Sequence, residues 1–126
     1  GVKNDDPVLR ILQNRKNMFE KAWNILSDFQ QTAFVFVLTP ERLPIFETER
    51  AIQYLEHSGI KVAGVVVNGI IPQAAEGAFM NKRREVQNRY IREIHGKFKE
   101  KVLAEIYLLD EDIWGMDNLR RIAEML

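Results

Sequence analysis

Two short runs of β-forming residues constrain this chain more than anything else in it. Thr32–Leu38 reads Thr-Ala-Phe-Val-Phe-Val-Leu, and Ile60–Val67 reads Ile-Lys-Val-Ala-Gly-Val-Val-Val. Each is nearly continuous in apolar residues rather than alternating, the pattern of strands covered on both faces in a parallel sheet. Between them, residues 42–58 carry Leu43, Phe46, Ala51, Ile52 and Leu55 at helical spacing, and His57-Ser58-Gly59 supplies a stop with glycine in the left-handed position after the helix. Strand, helix and strand together occupy 36 residues, Thr32 to Val67, the size of a βαβ unit whose crossover is expected to be right-handed.

The flanks extend the same pattern. Asp6-Pro7 is a helix start, aspartate as cap and proline as first helical residue. Val8, Ile11, Leu12, Phe19, Ala22, Ile25 and Leu26 then mark one face of a helix over 7–28, with the break at Ser27-Asp28. Ile70–Met80, with Pro72 and Gly77, has no clear period. A helix is expected over 81–99, with Val86, Tyr90, Ile94 and Phe98 inward and Lys82, Arg83, Arg84, Arg89, Arg92 and Lys97 outward. Val102–Leu109 is a third strand, Asp110-Glu111-Asp112 an acidic turn, and 117–125 a last helix capped by Asp117. The fold class is therefore α/β: a partial parallel sheet of about three strands with flanking helices. In such sheets ligands bind beyond the carboxyl ends of the strands, which here are Thr39-Pro40-Glu41, Asn68-Gly69 and Leu109-Asp110.

Composition narrows the chemistry. The 126 residues carry 18 basic and 18 acidic side chains, a net charge of zero that argues against nucleic acid as a partner. Both strand runs are far below the ~20 residues of a membrane span, and the N-terminal stretch lacks the apolar core of a signal peptide. There is no cysteine, which removes disulfides, thiolate metal sites and a cysteine nucleophile and agrees with a cytoplasmic location. The two histidines are too few for a metal site without carboxylates. The seven glycines form neither G-x-x-x-x-G-K-[ST] nor G-x-G-x-x-G, so this segment has no loop to cradle phosphate, and no Ser-His-Asp set is present.

Individual residues each admit a functional and a structural reading. Asn68 ends the second strand, where a carboxamide can donate and accept at an adenine edge, or where Asn-Gly can simply turn. Glu41 faces a ligand or favours the following helix dipole. Glu47 and Arg50, in Glu47-Thr48-Glu49-Arg50, read as a catalytic cluster or as a solvated helix pair. The basic face over 82–101 meets phosphate, an acidic partner or water. Ala74, Ala75, Ala78, Phe79 and Met80 form a contact surface or a short helix packed on the core, and Asp110–Asp112 ligate a metal or form a solvated turn.

The stretches Thr32–Glu41, Phe46-Glu47-Thr48-Glu49-Arg50, Gly64–Asn68 and Gly115-Met116-Asp117-Asn118-Leu119, in this order, resemble the ArsA, or anion-transporting, ATPase family. The family includes the arsenical pump-driving ATPase and the eukaryotic tail-anchored-protein targeting ATPase. The resemblance covers nearly the whole chain and implies the C-terminal part of a P-loop NTPase fold of the deviant Walker type, with the Walker A loop and switch aspartates upstream. It implies ATP and Mg²⁺ as ligands of the full-length protein, with none held tightly by this segment, no catalytic residue here, dimers with nucleotide between the halves, and a client or membrane-protein partner. It assigns Asn68 to adenine, Tyr107 and Leu108 to the loop bordering adenine, and Pro40 and Glu41 to the nucleotide and dimer side. The family often has proline where Tyr107 stands. The Cys-x-x-Cys zinc clasp of the eukaryotic targeting factors and the arsenite-binding cysteines are absent. The other functional class to weigh is a non-enzymatic interaction module using residues 70–101.

Overall fold

A computed structural model describes residues 6–126. Along the chain the elements are α1 (Pro7–Ser27), β1 (Phe34–Leu38), α2 (Arg42–His57), β2 (Val62–Ile70), α3 (Ala78–Phe98), a single 3₁₀ turn (Lys99–Lys101), β3 (Val102–Tyr107) and α4 (Gly115–Ala123). The strands form one parallel sheet in the order β1-β2-β3. This is the α/β architecture expected, compatible with part of a P-loop NTPase fold.

Local signals explain where the elements begin and end. Asp6 caps α1, its carboxylate accepting from the Val8 N–H at 2.9 Å. Gly59 adopts φ 82° after α2, and the Ile60 N–H donates back to the Leu55 carbonyl at 2.9 Å, turning the chain into β2. Several boundaries move: β1 starts at Phe34, β2 runs from Val62 on to Ile70, and β3 stops at Tyr107, two residues before the expected Leu109. Helix α3 begins at Ala78, not Asn81, because Gly77 at φ 109° lets the chain leave the loop three residues earlier. Helix α4 begins at Gly115, so Asp117 stands in its first turn rather than at its cap.

The core is one cluster. Leu38, Val62, Val65, Val67 and Ile70 from the sheet pack against Ile45 and Ile52 of α2 and Ile94 and Phe98 of α3. Phe34, Phe36, Leu55, Tyr90 and Ile91 complete it. Burying a side chain of this size contributes about 1.5–3 kcal/mol. The two helices are tied across their tops by Lys97 Nζ donating to Glu49 Oε2 at 2.8 Å. Helix α2 keeps Ile52 and Leu55 inward as expected, but nearer its start Ile45 and Thr48 point inward, whereas Leu43 and Phe46 are exposed. Several apolar positions compete along this helix, and those facing the sheet win.

The expectation of burial on both faces fails for β1. Phe34, Phe36 and Leu38 turn toward the core, while Val35 and Val37 are 45% and 64% exposed. Among the described residues, helices cover one face of this strand and nothing covers the other. Central strand β2 does meet the expectation over Gly64–Val67. Gly64 is needed there, since a Cβ would collide with the Lys101 carbonyl and the Leu103 side chain, where β3 comes close.

Candidate functional site

The site is built from three strand ends. Leu38 lies beside Val67 and Asn68 beside Ile106, so Thr39-Pro40-Glu41, Asn68-Gly69 and Tyr107-Leu108 follow side by side at the carboxyl edge of the sheet. A Cβ on Gly69 would lie 3.8 Å from the Thr39 methyl, and the Leu108 N–H donates to the Ile70 carbonyl at 2.8 Å. The parallel register therefore brings three strand ends together, as a ligand site in such a sheet requires, but the third is Tyr107-Leu108 and not Leu109-Asp110, because β3 stops at Tyr107.

Each candidate residue has a distinct setting. Asn68 does not follow β2 but lies within it, because the strand continues to Ile70. The Asn-Gly pair makes a bulge instead of a turn. The pairing skips from Asn68↔Ile106 to Ile70↔Tyr107, and Gly69 takes φ 77°. Asn68 remains exposed on this bulge. Pro40 is fully buried and shapes the turn after β1. Glu41 is exposed and occupies the cap position of α2 in extended conformation, but its side chain makes no capping bond. Tyr107 and Leu108 are 40% and 53% exposed. Leu108 joins Ile71, Pro72, Ala74, Ala75 and Met80 in an apolar cleft of about 510 Å³, whose lining also includes Asp110 and Arg121. Asn68, Glu41 and Tyr107 stand outside its lining.

Two residues hold this edge together: Gln87, absent from the sequence-based candidates, and Arg84, expected on the outward basic face. The Gln87 side chain donates from Nε2 to the Gly69 carbonyl at 2.9 Å and accepts the Ile71 N–H at Oε1 at 2.8 Å. The Arg84 guanidinium donates to the carbonyls of Pro72 and Ala75, so it fixes the loop and is not part of a solvated basic face. Gln87 could have been found in the sequence. It shares the stripe 87, 91, 94, 98 with core residues, and a polar group in such a stripe is hydrogen-bonded when buried.

The remaining candidates resolve plainly. Glu47 and Arg50 form no ion pair; the Arg50 guanidinium lies over the Phe46 ring, 5.6 Å from its centre, and Glu49 serves Lys97. Lys97 is held above its ordinary value, mainly by its hydrogen bond to Glu49. Lys101 reaches Glu56. Of the basic face, Lys82, Arg89 and Arg92 line a shallow groove with Glu85. Asp110 pairs with Arg121 at 3.6 Å, and the Asp112 carbonyl accepts from Asn118 and from the Trp114 N–H. Phe79 and Met80 lie in the first turn of α3, and Phe79 is 72% exposed rather than packed on the core. No helix among the described residues is long and apolar enough to cross a membrane.

Comparison with known proteins identifies the family. The sequence model of the family described as anion-transporting ATPase matches residues 1–126. A protein of Aquifex aeolicus (strain VF5), named provisionally as arsenical pump-driving ATPase 2, is 31% identical over 126 residues, covering 100% of this chain and 42% of its own length. The ATPase get3 of Aspergillus niger is 29% identical over 128 residues, covering 100% of this chain and 38% of its own length. An ATPase ASNA1 homolog of Trypanosoma cruzi is 31% identical over 103 residues, covering 79% of this chain and 29% of its own length. The chain thus spans about two fifths or less of the curated relatives it matches. With the family pattern matched from first residue to last on a partial parallel sheet of the required kind, this chain belongs to the anion-transporting ATPase family.

Proposed function

We propose that this chain is the C-terminal segment of an ATP-hydrolysing protein of the family, and that it supplies the adenine side of the nucleotide pocket and part of a dimer surface. The observation that carries the reading is the alignment of three strand ends around one exposed carboxamide, Asn68, on a glycine bulge. A carboxamide donates and accepts at once, and an adenine edge needs both. Leu108 and Tyr107 flank it on one side with apolar surface, and Glu41, set by the buried Pro40, stands on the other.

The residues present fit a base and not a triphosphate. Nothing in the sequence forms a glycine-rich phosphate loop with its lysine. In the full-length protein, phosphate, Mg²⁺ and the attacking water would be held by the upstream half, where metal and backbone N–H groups neutralise developing charge. This segment positions the base and thereby the γ-phosphate. Nucleotide state would then shift the helices that hold a client or membrane partner, by differential contact in the two states.

Two measurements test the proposal. The isolated 126-residue chain is expected to hydrolyse no ATP, and calorimetric titration should show weak binding or none; tight, saturable binding overturns the division of labour. In the full-length protein, Asn68→Ala should weaken ATP binding about five- to tenfold, the worth of about one net hydrogen bond of ~1 kcal/mol. An unchanged ATP affinity removes Asn68 from the pocket. It would then favour the interaction-module reading, in which exposed Phe79 at the start of α3 meets a partner.

A further inference from the structure

The β2 bulge that carries Asn68 is expensive to leave alone. The ladder to β3 skips a residue between Asn68 and Ile70, and a bulge leaves backbone groups without their rung. A buried N–H or carbonyl without a partner is costly, so the groups must be satisfied elsewhere. One side chain from α3 supplies the missing rung: Gln87 bonds the Gly69 carbonyl at 2.9 Å and the Ile71 N–H at 2.8 Å, using both ends of its carboxamide. Both bonds are partly buried. One turn earlier, Arg84 bonds the carbonyls of Pro72 and Ala75, so α3 grips the chain continuously after Asn68. Glutamine is suited to this position. A carboxylate cannot donate to the Gly69 carbonyl, and a lysine cannot accept the Ile71 N–H.

We propose that Gln87 is a positioning residue for the nucleotide base, acting through Asn68. By fixing the backbone on the C-terminal side of the bulge, it holds the Asn68 carboxamide in the geometry that meets the base. This inference rests on the reading of Asn68 given above. It adds that base recognition depends on α3.

The test uses the full-length protein, variants at Gln87 and Asn68, and two ligands. Gln87→Met keeps the side-chain length and removes both bonds, and Gln87→Glu keeps only the acceptor for Ile71. Gln87→Met should raise the KM for ATP about three- to tenfold, the range of one to two net hydrogen bonds, with kcat within about twofold. Inhibition by tripolyphosphate, which has no base, should be unchanged. The double variant Asn68→Ala with Gln87→Met should be no weaker for ATP than Asn68→Ala alone, because the two act as one unit. Equal losses for ATP and tripolyphosphate, additive losses in the double variant, or an unchanged KM each overturn the proposal. If Asn68→Ala itself leaves ATP affinity intact, the adenine reading has failed and this inference falls with it, which is distinguishable from a normal Asn68 effect with a silent Gln87. Should Gln87→Met fold poorly, hydrogen exchange in the full-length protein decides with Gln87→Glu. The glutamate must leave the Ile71 amide more protected than a Gln87→Ala variant does; equal exchange in the two removes the clamp.

Discussion

Helices α1 and α3 have the same length, 21 residues, and opposite fates. Helix α1 carries the more apolar sequence of the two. Val8, Leu9, Ile11, Leu12, Phe19 and Trp23 lie along it, yet none of its residues is buried. Helix α3 is studded with arginine and lysine, yet Ile94 is completely buried and Phe98 nearly so. The difference is where each helix falls in the chain. Helix α3 is a crossover between paired parallel strands, so connectivity returns it to the sheet. Helix α1 precedes β1, and no strand among the described residues lies before it to pair with β1 and draw it onto the sheet. Amphipathicity says that a helix needs a partner; topology says whether the same segment provides one.

The largest expected effect separates the two helices by stability. Ile94→Ala should cost about 2–5 kcal/mol, because it removes three carbons from a closed cluster. Phe19→Ala, at 74% exposure, should stay within about 0.5 kcal/mol in dilute solution. Urea unfolding of the two variants gives both numbers. Comparable losses would mean that α1 packs on the domain in solution as α3 does.

A somewhat smaller effect probes the sheet against α3. Gly64→Ala should lose about 1–3 kcal/mol, since the added methyl meets the Lys101 carbonyl, which cannot move without disturbing β3. Gly96→Ala, in α3 with open space around it, should instead gain about 0.5–1 kcal/mol by helix propensity. Chemical denaturation of the pair reads opposite signs from the same substitution. Two losses would show that α3 is more crowded than its exposed side suggests.

The third effect concerns what α1 does with its uncovered side. An apolar helix stripe and the bare valines of β1 together favour self-association. Light scattering should show mass above that of a monomer at high concentration. Replacing Leu12 and Phe19 by serine should weaken association about tenfold, or ~1.4 kcal/mol. A monodisperse monomer at high concentration contradicts this expectation.

How far the residues alone reveal the molecule follows the same contrast. Features governed by local chemistry were readable: the Asp6-Pro7 start, the Gly59 stop, and three strands with a parallel order. Features governed by competition between faces were not. On α2 both Ile45 and Phe46 are apolar, and only the sheet decides that Ile45 enters the core while Phe46 supports Arg50. Asn68-Gly69 reads as a turn because its local preference is for one; pairing with β3 on the far side turns it into a bulge. The strand ends of the site were legible from the α/β pattern, because a parallel sheet places its sites there whatever the sequence. Gln87 leaves one trace, a polar residue in the apolar stripe 87, 91, 94, 98; its partners are backbone atoms, which no neighbouring side chain reveals.

The smallest effect tests whether polar grips matter to the packing of α3. Lys97 pairs with Glu49 across the two helices, and its pKa is raised above the ordinary 10.5, first by that hydrogen bond and then by the charges of Glu49 and Glu93. A base whose pKa is raised by folding adds stability that is fully present below its unfolded value. The contribution disappears as pH rises through the folded value. The window therefore lies above about pH 10.5, not in the acid range. Between pH 10 and pH 12 the urea midpoint of the native chain should fall more steeply than that of Lys97→Met, and the two curves should converge at the alkaline end. The gap should shrink in high salt, because the pair is about one third exposed. Parallel curves across that range would show that α3 is held by Ile94, Phe98 and the Gln87 clamp alone.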